Sequence, residues 1–201
     1  FLCSIVALDP DTGEYRWHYQ TTPGESWDYN SNMDIVLADL SIDGREVKAL
    51  LHAPKNGFFY VIDRKDGRLI SAEPFTEVTW ASSVDRETGR PVEVPGARYE
   101  NEPAAISPGP IGGHSWHAMS FSPRTGLAYI PTIHLAYTFT DEGIDLETWR
   151  SPIRGSGSGT GVSSRRTGSS RPDGVLGTLQ AWDPVRQEQV WEVPLDGMWN
   201  A

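Results

Sequence analysis

The 201-residue sequence holds one cysteine, Cys3. A single thiol excludes an internal disulfide framework, a cysteine-built metal cluster and the C-x-x-C-H attachment of a c-type haem within this stretch. Long apolar runs are also missing, and none approaches the ~18 residues of a membrane helix. Basic residues are scarce. Seventeen Lys and Arg stand against 27 Asp and Glu, a formal net charge of −10, which argues against binding to a phosphate backbone. The one Arg-rich stretch, Ser163–Arg171, is diluted with Ser and Gly and reads as a loop rather than a nucleic-acid patch. The Gly-rich tract Gly155–Gly161 has neither the G-x-x-x-x-G-K-S/T frame nor the G-x-G-x-x-G frame of a phosphate loop. No G-x-S-x-G nucleophile elbow occurs. There is no initiator Met and no signal-peptide pattern at the start, so the chain is expected to be an internal piece of a longer protein.

What is present is period-two alternation. Tyr15, Trp17 and Tyr19 face one way while Glu14, Arg16, His18 and Gln20 face the other, the pattern of a half-buried strand. Ile5–Leu8 is a short apolar strand before it, and Asp9–Gly13 is a tight turn between the two. The same phrase, an Asp or Ser followed by Thr or Asp and then Gly, recurs at Asp63–Gly67, Asp85–Gly89 and Ser122–Gly126. A worn copy without the glycine begins at Asp183. Trp17 follows the first copy and Trp191 the last. Repetition of a strand–turn–strand unit signals a repeat architecture, and the uneven spacing suits four-stranded antiparallel blades with long inserted loops.

Asp43-Gly44 and Asn56-Gly57 lie between strand-like runs, and both dipeptides suit two-residue type I′ hairpins. Helix signals are nearly absent, with a turn or two expected at Glu142–Trp149. A long Gly/Ser/Arg-rich loop is expected at about 155–174. The fold expected is all-β, a propeller before a sandwich.

Three candidate sites can be weighed on their residues. His114, His117 and His134 could ligate zinc, or simply bond backbone in a Trp/Gly-rich turn. Asp28, in Glu25-Ser26-Trp27-Asp28-Tyr29-Asn30, is either a loop carboxylate capping a turn or a base partly dried by its aromatic neighbours. Lys55 is either a solvated hairpin tip or a cation held at the mouth of a sheet. The residues alone leave each of these open.

A resemblance adds to this reading. Trp27-Asp28-Tyr29, Ala53–Arg64, Val78–Ala81, Thr88–Val92, Pro95–Tyr99 and the run from Trp116-His117 to Pro123 resemble the pyrroloquinoline quinone (PQQ)-dependent alcohol dehydrogenases. Ala7–Trp17 fits that family's tryptophan-docking motif, A-x-D-x-x-T-G-x-x-x-W, in full. The resemblance implies an eight-bladed β-propeller, of which residues 1–201 would be a partial PQQ-binding domain of roughly three blades. It implies that Asp28 is the catalytic general base beside the cofactor and that Lys55 binds the quinone's carbonyl oxygens. The family's metal-ligating residues lie outside this segment, so no metal ligand is assigned here. Lanthanide-using members carry an Asp where this sequence has Asn30, which favours Ca2+. Many members also offer an Asn to the quinone where Thr132-Ile133-His134-Leu135 stands here.

The implied function is oxidation of a primary alcohol, a glycol or polyether alcohol included, to the aldehyde. An ordinary aspartate, with a pKa near ~4, is a feeble base toward an alcohol, so a Lewis-acidic metal must assist it. A c-type cytochrome acceptor and a periplasmic location are also implied, and homo-oligomerisation is left open. Two rival readings remain: a non-enzymatic propeller scaffold or assembly factor that shares the docking repeat, and a propeller hydrolase or lyase using His114 and His117 with a metal.

Overall fold

The computed structural model describes residues 1–145, 147–149 and 162–199. Fifteen strands run through it: β1 Ser4–Leu8, β2 Tyr15–Gln20, β3 Val36–Ile42, β4 Arg45–His52, β5 Phe58–Asp63, β6 Leu69–Pro74, β7 Ala81–Val84 and β8 Pro91–Glu93. They continue as β9 Ala104–Ile106, β10 Ser120–Ser122, β11 Leu127–Ile133, β12 Leu135–Thr140, β13 Ser163–Ser169, β14 Gly177–Asp183 and β15 Glu188–Pro194. Every pairing is antiparallel.

Two four-stranded sheets dominate. The first is an uninterrupted meander, β3-β4-β5-β6. The second, β10-β11-β14-β15, is interrupted between its middle strands by the β12–β13 hairpin, which pairs with β9 in a sheet of its own. Phe58-Phe59-Tyr60-Val61-Ile62 on β5 shows why the sheets stack. All five residues are buried, so the strand reads as a continuous apolar run covered on both faces. Phe58, Tyr60 and Ile62 join a cluster with Trp27, Tyr29 and Trp80 on one side. Phe59 and Val61 join Ile130, Ala128 and Trp182 of the second sheet on the other. Burying each such side chain contributes about 1.5–3 kcal/mol.

The repeated turns are built alike. The amide of the fifth residue donates to the carbonyl of the first at 2.8 Å in Asp9–Gly13, Asp63–Gly67, Asp85–Gly89, Ser122–Gly126 and Asp183–Gln187. That closing residue has a left-handed backbone in all five, including Gln187 at φ 58°, which stands where the other copies have glycine. Trp17 docks on the next copy, its Nε1 donating to Arg64 O at 3.2 Å, with the indole lying over Gly67. Tyr19 does the same one turn further on, its hydroxyl donating to Gly89 O at 2.8 Å.

Two expectations are corrected. Asp43-Gly44 has positive φ at both positions, as a type I′ turn demands, but at Asn56-Gly57 only the glycine does. The β4–β5 connection is the five residues between His52 and Phe58, because Asn56 is fully buried. Its amide nitrogen donates to Tyr60 Oη (2.8 Å) and Thr22 Oγ1 (3.2 Å), and its Oδ1 accepts from Phe58 N. Ser163–Ser169, inside the tract expected to be loop, is strand β13, paired along β12 from Ser169↔Leu135 to Ser163↔Thr140. The Gly-rich tract 155–161 lies outside the described residues. Among the described residues of Glu142–Trp149, where a turn or two is expected, Trp149 N donates to Asp145 O at 2.7 Å.

Candidate active site

The loop after β2 carries Asp28, and the β4–β5 connection carries Lys55. The fold brings them together: Lys55 Nζ donates to Asp28 Oδ2 at 3.1 Å and to the Asp28 carbonyl at 3.0 Å. Lys55 is no solvated hairpin tip. Its side chain is 11% exposed, while that of Asp28 is 57% exposed. Both border a cavity of about 930 Å³, with Asn30, Arg98, Ile111 and Trp116 among the other walls.

The aromatic neighbours of Asp28 do not dry its carboxylate. Trp27 and Tyr29 are both fully buried and turn into the core, where their rings meet each other at 5.6 Å and Trp80 at 5.0 and 5.6 Å. Trp27 Nε1 donates to Ala97 O at 2.9 Å, and Tyr29 Oη donates to Pro108 O. Arg98 lies 4.9 Å from the centre of the Trp27 ring and pairs with Glu93 at 2.6 Å. Two anchors pull inward on either side, so the residue between them is left pointing out. Asp28 takes a left-handed backbone, φ 68°, to do so. Such a conformation costs a non-glycine residue about 1–3 kcal/mol, and it concentrates at functional sites.

The histidines do not converge. His114 is buried with Nδ1 2.6 Å from Ala53 O and Nε2 2.6 Å from His117 O, so both nitrogens are turned onto carbonyls rather than toward an ion. His134 lies between Thr76 and Thr178 at 3.1 and 3.0 Å. Burial holds its imidazole down at about 4, helped by Arg171. Among the described residues no three His, Cys, Asp or Glu side chains gather as a metal site. Thr132 is buried and accepts from Gln180 Nε2, and neither it nor His134 borders the cavity. Cys3 is buried, which pushes its thiol up to about 11 and leaves it unreactive.

Residues 1–92 match the family model for the glucose/ethanol/alcohol dehydrogenase PQQ β-propeller domain. The whole chain is 50% identical to quinohemoprotein alcohol dehydrogenase ADH IIB of Pseudomonas putida, covering 28% of that protein. It superposes on the crystal structure of quinohemoprotein alcohol dehydrogenase from Comamonas testosteroni with a TM-score of 0.88 at 44% identity, covering 100% of this chain and 30% of that one.

Over its whole length the chain is similar to the PQQ-dependent alcohol dehydrogenases.

Its stacked sheets are therefore part of a β-propeller, and the turns that Trp17 and Tyr19 dock on are that family's repeat. A europium-containing methanol dehydrogenase is a further structural neighbour, with a TM-score of 0.83 at 32% identity over 98% of this chain and 34% of that one. The chain thus spans about 30% of the length of the relatives it matches.

The cavity fits the family's cofactor. An ammonium carries three N–H donors, and Lys55 spends two on Asp28, leaving one for a carbonyl or carboxylate oxygen arriving from the cavity. Trp116, 71% exposed, offers a flat apolar surface at the wall. One residue that reading the sequence passed over is Glu25. Its Oε1 accepts the amides of both Trp27 (2.5 Å) and Tyr29 (2.7 Å), the two residues flanking Asp28. The signal was the acidic residue three positions before the aspartate, in a loop with two amides to satisfy.

Proposed function

We propose that the full-length protein oxidises a primary alcohol, glycols and polyether alcohols included, to the aldehyde with PQQ and a calcium ion. The observation that carries this reading is the Lys55–Asp28 contact at the wall of the cavity. Residues 1–201 are a partial PQQ-binding propeller domain in this proposal. Asp28 is the general base and Lys55 the cofactor ligand.

When bound, the quinone supplies the acceptor for the hydride leaving the alcohol carbon, and the metal supplies Lewis-acid polarisation. The chain's own residues do the rest. Lys55 has Asp28 Oδ2 in its grip, which leaves Oδ1 to accept the hydroxyl proton. Its remaining N–H stabilises negative charge developing on an oxygen in the cavity. Asn30 borders the same cavity as a neutral amide, and a neutral oxygen donor suits a divalent ion better than a trivalent one. Electrons leave singly to a c-type cytochrome, consistent with the haem in the names of the quinohemoprotein relatives. A periplasmic location follows from that partner.

The test is dye-linked alcohol oxidation by the full-length apoprotein, reconstituted with PQQ plus calcium or plus lanthanum. Activity with PQQ and calcium alone supports the proposal. Activity with lanthanum only contradicts the Asn30 argument. Silence with both metals across short alcohols and glycols leaves a scaffold as the better account.

A further inference from the structure

We infer that Glu25 is the positioning residue for Asp28: its carboxylate sets the backbone geometry that aims the base into the cavity. The inference rests on the reading of Asp28 as that base.

A left-handed aspartate needs its neighbouring peptide groups fixed, or the chain relaxes into an ordinary conformation and the side chain turns away. Three hydrogen bonds do the fixing. Glu25 Oε1 accepts from Trp27 N at 2.5 Å and from Tyr29 N at 2.7 Å, one amide on each side of Asp28. Lys55 Nζ takes the Asp28 carbonyl at 3.0 Å. With both flanking amides and its own carbonyl engaged, Asp28 is held at φ 68° with its side chain outward. The buried Trp27 and Tyr29 rings anchor the loop to the core, but they would tolerate a rocking of the peptide planes between them. Glu25 removes that freedom. Charge-assisted bonds from backbone amides to a carboxylate are short and strong, and one oxygen shared by two amides ties them to a common point. Glu25 itself borders the cavity, so the alternative role for it is electrostatic.

The two roles separate by mutation, because Glu25→Gln removes the charge and keeps an oxygen that can accept the same amides. In the full-length enzyme reconstituted with PQQ, E25A should lower kcat roughly 10- to 100-fold, the scale on which a misplaced catalytic group costs rate. PQQ affinity, titrated separately, should change less than kcat. E25Q should stay close to wild type. If E25A does not fold, E25D serves, since its shorter stem cannot reach both amides. A residue acting only through Asp28 also gives a non-additive cycle: D28N/E25A should be no slower than D28N. E25Q as slow as E25A, or losses that multiply in the double variant, would overturn the positioning role. D28N at full speed would instead overturn the assignment of the base, which is a different failure from E25A at full speed beside an inactive D28N.

Discussion

Lys55 Nζ holds Asp28 by two of its oxygens, the carbonyl at 3.0 Å and carboxylate Oδ2 at 3.1 Å. One end of this pair is 11% exposed and the other 57%. Ion pairs with one solvated partner contribute little to stability, so the contact matters for geometry. It ties the β4–β5 connection to the loop after β2 and points one free N–H and one free carboxylate oxygen into the same cavity.

Removing the ammonium should therefore cost binding. A hydrogen bond to a charged group is worth about 1.5–3 kcal/mol, so Lys55→Met should raise the PQQ dissociation constant roughly 10-fold or more. Gly112 offers an indirect version of the same experiment. A Cβ at Gly112 would lie 2.3 Å from Lys55 Cγ and 2.6 Å from its Cα, at a φ of +92°. G112A should push Lys55 aside and weaken PQQ binding in the same titration, and unchanged affinity in both variants would contradict the assignment.

The docking turns predict a graded effect of adding one methyl group. Gly13 and Gly67 have nearly the same φ, +73° and +77°. A Cβ at Gly13 meets nothing within 4 Å, whereas at Gly67 it would lie 2.6 Å from the Trp17 ring. G13A should cost only the left-handed backbone term, about 1–2 kcal/mol. G67A should cost that plus an overpacking term of about 1–3 kcal/mol. Equal losses in denaturant unfolding would mean that Trp17 does not dock on Gly67.

Stability should fall on mild acidification. Burial holds His52 and His134 down at about 4 each, against an ordinary value of 6.5. The folded form keeps both rings neutral, and the unfolded chain protonates first. Their contribution is therefore complete above about pH 6.5 and is lost as pH falls toward 4, on the order of 3 kcal/mol for each ring. Unfolding midpoints measured between pH 7.5 and 5 should drop, and His134→Gln should flatten the slope. A pH-independent midpoint over that range would contradict the burial of neutral histidines.

The repeat architecture was legible because its cause is local. Alternation in β2, the Asp–Thr–Gly phrase and the Asp43-Gly44 hairpin each depend on residues a few positions apart. The structure has the phrase and the hairpin, and in β2 it has the Trp17–Tyr19 alternation. Tyr15, 52% exposed and bonded to His18 at 2.7 Å beside a bulge, departs from it. Asp28 and Lys55 received their roles only through the family motifs; on its own residues Asp28 reads first as a turn cap, and Lys55 reads either as a surface lysine or as a held cation. Their meeting is set by two loops 27 positions apart, and short-range pattern carries no information about that. The Asn56-Gly57 turn was misjudged for a similar reason. Asn56 is held by Thr22 and Tyr60 in the interior, and this long-range contact overrides the local turn preference. Strand β13 was invisible because Ser163–Ser169 is mostly exposed and forms by backbone pairing to β12, which needs no apolar alternation.

The most direct test is the full-length Asp28→Asn enzyme, compared with wild type for PQQ binding and for dye-linked alcohol oxidation. The amide should keep the cofactor bound and lower turnover about 10²- to 10⁴-fold, the share a general base supplies. Undiminished turnover with PQQ bound would show that Asp28 is an ordinary loop aspartate.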